Sequence, residues 1–199
     1  MKVAIDINDV LRDFSNNFLK YYLDLYNHEF DLTDFEFFSN DLKLVFPFQN
    51  DDSYHRFMYD NYSFELFAKC PTCGTDTAGD LKRFVKQVVP DFKDEEGTDV
   101  ILVSTMEYGA SIGATYFFIS KLNPSVREVY MPKDSLTIWD KCDVLITANP
   151  TLLDNKPDGK TSIKIKADYN KDCEADYTFS SFKKLVNDEE IIKKLSENG

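Results

Sequence analysis

Apolar and polar positions change their period several times along the chain. Residues 1–7 alternate and then run apolar through Val3, Ala4 and Ile5, which predicts a buried strand. From Asp13 the period becomes helical. Phe14, Phe18, Tyr21, Tyr22 and Leu25 share one face, and Asp13 and Ser15 are the capping candidates. Residues 30–68 are rich in Phe, Tyr and Asp, poor in Gly and broken at Pro47, which predicts short helices around residues 32–38 and 53–61. Ala78, Leu81, Phe84, Val85 and Val88 recur at helical spacing behind Thr75 or Asp76 as the cap. An acidic loop then leads into an apolar strand at residues 99–104. A helix over 110–122 ends at Asn123-Pro124, and a short strand follows at 126–131. Residues 134–139 form a short helix, 143–147 an apolar strand and 161–166 an alternating edge strand. Phe182, Leu185, Val186, Ile192 and Leu195 mark one closing helix.

Strands separated by helical stretches imply βαβ units and a five-stranded parallel sheet with helices on both faces, a three-layer Rossmann-like α/β fold. In such sheets chemistry sits beyond the C-terminal ends of the strands. Here those ends carry Asp6-Ile7-Asn8-Asp9, Ser104-Thr105, the loop around Lys133, and Thr147-Ala148-Asn149.

Composition narrows the function classes. A length of 199 residues, 43% of them hydrophobic, suits one domain with a small insertion and excludes a disordered tail, a collagen-like repeat or a disulfide-stapled miniprotein. Thirty-five acids against 23 bases give a net charge of −12, with the lysines dispersed, so nucleic acid is not an expected partner. No apolar run approaches the roughly 20 residues that cross a bilayer, and Met1 leads into a strand rather than a signal peptide, so the expected location is cytoplasmic. The four cysteines read as reduced thiols. Cys70 and Cys73 form C-P-T-C, but a zinc site would also need Cys142 and Cys173, and no zinc is expected there.

The stretch Val3-Ala4-Ile5-Asp6-Ile7-Asn8-Asp9-Val10-Leu11-Arg12-Asp13-Phe14 resembles the first motif of the haloacid dehalogenase superfamily, an apolar strand ending in D-x-D-G-[TV]. The run Val10-Leu11-Arg12-Asp13-Phe14 resembles that of its 5′(3′)-deoxyribonucleotidase branch. Ile101-Leu102-Val103-Ser104-Thr105 is similar to the second motif, Lys133 is the candidate third-motif lysine, and residues 142–150 are similar to the fourth. The resemblance covers the chain in order. It implies a core of residues 1–14 and 73–199 with a helical cap at 15–72, and a strand order of fifth, fourth, first, second, third. It further implies Asp6 as nucleophile, Ser104 and Thr105 as phosphate ligands, and Mg²⁺ held near Asp6 and the backbone carbonyl of residue 8.

Two positions depart from that pattern. The acid that protonates the leaving oxygen and then activates water is replaced by Asn8, and an amide exchanges no proton near neutral pH. The fourth-motif carboxylates that hold Mg²⁺ are replaced by Thr147 and Ala148, although Mg²⁺ prefers carboxylates and water. Asp9, Asp143 and Asp154 are poorly placed to substitute: Asp9 points elsewhere, Asp143 starts its strand at the far end, and Asp154 lies in the next loop. His28 and His55 read as surface residues and Trp139 as core or a partner contact.

The reading is a haloacid-dehalogenase-like domain with a retired active site that acts by binding, with no cofactor. The expected partner is protein, in an assembly, contacted through an aromatic cap (Phe35, Phe37, Phe38, Phe46, Phe48, Phe57, Phe64, Phe67) unless those rings pack inward. The residue bias toward Lys, Asn, Asp, Tyr, Phe and Ile suits a genome of low GC content, and the resemblance implies a bacterial or phage source, a virion component included. Two rival readings are a working Mg²⁺-dependent nucleotidase and a nucleotide or phosphate sensor.

Overall fold

The computed structural model describes residues 1–26, 36–89 and 98–197. Its centre is a parallel sheet of β1 (Lys2–Asp6), β2 (Asp99–Val103), β3 (Glu128–Tyr130), β4 (Val144–Thr147), β5 (Thr161–Ile165) and β6 (Tyr177–Phe179), in the order β3-β2-β1-β4-β5-β6. The first five strands take the order that the resemblance implies. The count is corrected from five to six: Ile163 pairs with Tyr177 and Ile165 with Phe179, so β5 is an inner strand and β6 the edge. A three-residue strand is too short to show a period, which is why the pattern missed it.

Alternation along the strands divides the core. Val3, Ile5, Val100, Leu102, Val144, Ile146, Ile163 and Ile165 pack beneath α4 (Thr77–Val88), α5 (Ala110–Leu122), α7 (Phe182–Val186) and α8 (Glu189–Glu197). On the other face Ala4, Ile101, Val103 and Leu145 meet Trp139 and Ile138 of a 3₁₀ turn (Ser135–Lys141) and Leu152 of α6 (Pro150–Asp154). Trp139 is a core residue, its indole N–H donating to the Leu152 carbonyl at 3.1 Å. The single closing helix is corrected to two, α7 and α8. Asn187 closes the first and the Asp188 carboxylate accepts from the amide of Ile191 to start the second.

Residues after β1 build a separate apolar cluster. α1 (Phe14–Tyr26), α2 (Leu42–Val45), α3 (Asp51–His55) and two π-helical turns (Arg56–Asn61 and Phe64–Ala68) gather Phe14, Phe18, Tyr22, Phe46, Phe57 and Phe67 around one centre. The predicted helix over 53–61 is therefore an α-to-π transition. Of the predicted helix over 32–38, residues 36–38 are irregular, and residues 32–35, with His28 and Phe35, lie outside the described residues. His55 is exposed.

The aromatic cap turns mainly inward. Phe37, Phe46, Phe57 and Phe67 are buried and Phe48 half-buried, while Phe38 and Phe64 face outward. Of the two outcomes the sequence left open, most of these rings pack inward, together with Leu42, Tyr54, Met58 and Leu66. Among the described residues no helix is long and apolar enough to cross a membrane.

Phe18 is surrounded by Phe14, Phe46, Phe48, Tyr54 and Phe57 at ring-centroid distances of 5.1 to 6.4 Å. Phe18→Ala is expected to destabilise the chain by about 3–5 kcal/mol in urea unfolding, and Phe18→Leu by far less. A loss under about 1 kcal/mol for the alanine variant would mean this cluster contributes little to folding.

Candidate functional site

Parallel strands end together, and the end of β1 lies between those of β2 and β4. This places Asp6, Asn8, Ser104 and Thr147 side by side in a region closed by the cap. Asp6 is 2% exposed, and its Oδ2 accepts from the Thr147 hydroxyl at 2.8 Å. Thr147 Oγ1 in turn accepts from the Asn149 amide at 2.9 Å. Asn149 caps α6 and takes a hydrogen bond from Asn40 at 3.1 Å, so the segment after β4 is bound both to Asp6, through Thr147, and to the stretch before α2.

Asn8 is clamped on both ends of its amide. Its Nδ2 donates to Ser104 Oγ at 3.0 Å, and its Oδ1 accepts from Nε and Nη2 of Arg12 at 3.0 and 2.6 Å. Arg12 is wholly buried. Nη1 donates to the Phe67 carbonyl and to Thr115 Oγ1, and Nη2 also to Glu107 Oε1 at 2.7 Å, so all five N–H donors have acceptors. Both side chains of the Arg12–Glu107 pair are fully buried. The rings of Phe14, Phe67 and Phe118 lie 5.0 to 5.4 Å from the guanidinium carbon.

The sequence reading missed Arg12, Glu107 and Thr115 as parts of the site. The available signal was a lone arginine after Ile7, Val10 and Leu11 on a buried segment. Its acceptors lie 55, 95 and 103 positions away, beyond any local pattern.

Asp9 stands in the left-handed backbone region at φ 56°, where the motif that the sequence resembles has glycine. Its carboxylate accepts from the amide and hydroxyl of Ser15 and from the Tyr169 hydroxyl at 2.6 Å. It thus takes over the capping role expected of Asp13 or Ser15, and with Asp6 it lines the same cavity. Burial and the neighbouring Asp9 charge push the Tyr169 pKa well up, so this hydroxyl keeps its proton and remains a donor.

A cavity of about 260 Å³ opens beside these groups, lined among others by Asp6, Asn8, Thr105, Lys133 and Asn149. Thr105 and the exposed Lys133 reach it, whereas Ser104 is wholly buried with its hydroxyl engaged by Asn8. Asp143 is at the opposite end of the sheet, bound to the amide of Lys2 and to Lys160. Asp154 faces a separate depression with Asp172 and Asp176.

The donors do not suit Mg²⁺. Asp6 is the only carboxylate at the aligned positions, and one of its oxygens already holds Thr147. Ala148 supplies no ligand, and the Asn149 side-chain oxygen is occupied by Thr151 and Asn40. Among the described residues no three His, Cys, Asp or Glu side chains stand together as a metal site. The C-P-T-C loop instead pairs with the motif segment, Asp13 N bonding Pro71 O and Cys73 N bonding Leu11 O. Cys142 is buried in the core between the sheet and the 3₁₀ turn.

Burial raises the Asp6 pKa to about 7, with the Thr147 hydrogen bond opposing and Glu107 adding to the rise. A carboxyl that holds its proton more tightly when folded than its ordinary 3.8 stabilises the fold at low pH. That advantage is lost as pH rises from about 4 to about 7. Asp6→Asn is therefore expected to raise stability by about 2–4 kcal/mol at pH 8 and by little at pH 4, measured by urea unfolding at both pH values. An effect independent of pH would rule out a buried, strained carboxylate.

Glu107→Gln leaves the Arg12 charge without its carboxylate and is expected to cost about 3–5 kcal/mol. Adding Asn8→Asp, whose oxygens would meet the same guanidinium, should restore part of that loss in a double-mutant cycle. Simple additivity of the two substitutions would show that residues 8 and 107 are not coupled through the Arg12 guanidinium.

Comparison with known proteins found no family model that matches the chain and no curated protein with significant similarity to it.

Proposed function

We propose that this chain is a haloacid-dehalogenase-like protein whose hydrolytic site is retired and which acts by binding, with protein as its partner. The observation that carries the reading is the state of Asn8. Phosphoryl transfer through an aspartate needs a group at this position that gives up and retrieves a proton, commonly worth about 10²–10⁴ in rate. Asn8 lacks that capacity, and its amide is committed on both sides to Arg12 and Ser104.

Residue 12 reinforces the reading. A carboxylate restored at position 8 would lie against the buried guanidinium, which would hold it ionised and make it a poor proton donor. The poor fit of the Asp6 and Thr147 surroundings to Mg²⁺ supports the same conclusion from a second position. With the metal's charge stabilisation weakened as well, the largest usual contribution to phosphoryl transfer is reduced.

The test is turnover of nucleoside monophosphates and p-nitrophenyl phosphate with Mg²⁺, comparing the natural chain with Asp6→Asn. Equal, background rates are expected, and Asn8→Asp alone should leave them unchanged. Turnover by the natural chain that the Asp6→Asn variant lacks would overturn the proposal in favour of a phosphatase.

A further inference from the structure

α5 is apolar on both of its faces. Ala114, Thr115, Phe118, Ile119 and Leu122 pack inward, as its place over the sheet requires. The outer face carries Ile112, Tyr116 and Phe117, continued by Tyr108 before the helix and by Phe64, whose ring is 5.3 Å from that of Phe117. A helix that is hydrophobic all round is normally covered on all sides.

Gly113 lies on this outer face, exposed, at the end of the first turn of α5. Glycine in a helix interior costs about 1 kcal/mol relative to alanine, and less toward the helix end. Among the described residues nothing calls for it: its backbone is helical, and a Cβ at this position would meet no atom within 4 Å outside its own helix backbone and chain neighbours. The vacant notch becomes intelligible if something outside the chain approaches the helix at that point.

We infer that the outer face of α5 is a homodimer interface, in which two copies pack α5 against α5 antiparallel about a twofold axis. Gly113 and Phe117 are four residues apart on one face, about 6 Å along the axis. An antiparallel twofold centred between them seats the Phe117 ring of each copy in the Gly113 notch of the other, the self-complementary match that an isologous contact requires. A second copy also fits the electrostatics. The chain carries a net charge of −12, so two copies repel over most of their surfaces, yet residues 109–120 contain no charged side chain. Lys121, at the rim, is held by the Ala68 carbonyl and lies over the Phe117 ring.

The area is adequate. Tyr108, Ile112, Tyr116, Phe117 and Phe64 are each 41 to 64% exposed. With about 200 Å² per large side chain, they offer about 500 Å² per copy, or about 1,000 Å² in all. With all of that surface covered, this is the lower bound for a specific interface. The inference stands independently of whether the Asp6 site turns over.

The experiment is sedimentation equilibrium of the full chain from about 1 to 200 μM, with Gly113→Leu and Phe117→Lys as variants. The natural chain is expected to reach twice its 23.0 kDa mass across this range. Gly113→Leu fills the notch and should weaken dimerisation at least tenfold. It should also leave the melting temperature of the monomer unchanged or higher, because leucine has room and a better helix propensity. Phe117→Lys, which removes the knob and adds a charge, should also give a monomer. A natural chain that stays monomeric at 200 μM overturns the inference, as does a dimer that survives both substitutions.

Discussion

The structure depends on one buried charge. The Arg12 guanidinium lies where the end of β1, the loop before α5, the helix α5 and the C-terminal turn of the Phe64–Ala68 segment converge. Every N–H it carries is used there. An arginine without water is tolerated only when its charge and donors are answered together, and Glu107, Asn8, Thr115 and the Phe67 carbonyl do this. The carbonyl comes from the end of a helical turn, where acceptors are left without intrahelical partners and a cation is favoured. Lys121 uses the next one, at Ala68. Two cations thus fasten the cap segment onto the sheet domain.

That arrangement bears directly on the site. Asn8 is needed as an acceptor for Arg12 and as a donor to Ser104, two demands a neutral amide meets at once. Thr147 plays a similar double part, donating to Asp6 and accepting from Asn149. Side chains at the strand ends are consequently bound to one another. Asp6 is left buried beside hydroxyl and amide groups instead of cations, and its affinity for a proton rises accordingly.

The cap answers a different constraint. Its phenylalanines form its core together with Leu42, Tyr54, Met58 and Leu66. Apolar surface with no such internal duty lies instead on the outer face of α5, where bulk at Phe117 and vacancy at Gly113 alternate over one turn.

The sequence by itself determined the parallel sheet, the helices over 77–88 and 110–122, and the positions of Asp6, Asn8, Lys133 and Thr147 at or near strand ends. These follow from periods and caps, which operate over a few residues. Four features were decided by the tertiary structure: the sixth strand, the division of the closing helix, the inward turn of the cap aromatics, and the role of Arg12. Tyr177–Phe179 becomes a strand because β5 offers an unpaired edge. Asn187 and Asp188 carried a local cap signal, but the apolar spacing running through them reads as one helix. Phe46 and Phe57 read equally as core or surface until their neighbours are known. Arg12 reads as an exposed charge until Glu107 and Thr115, far along the chain, come to meet it. Local period is written in adjacent residues, whereas compensation of a buried charge depends on which distant segments fold against it.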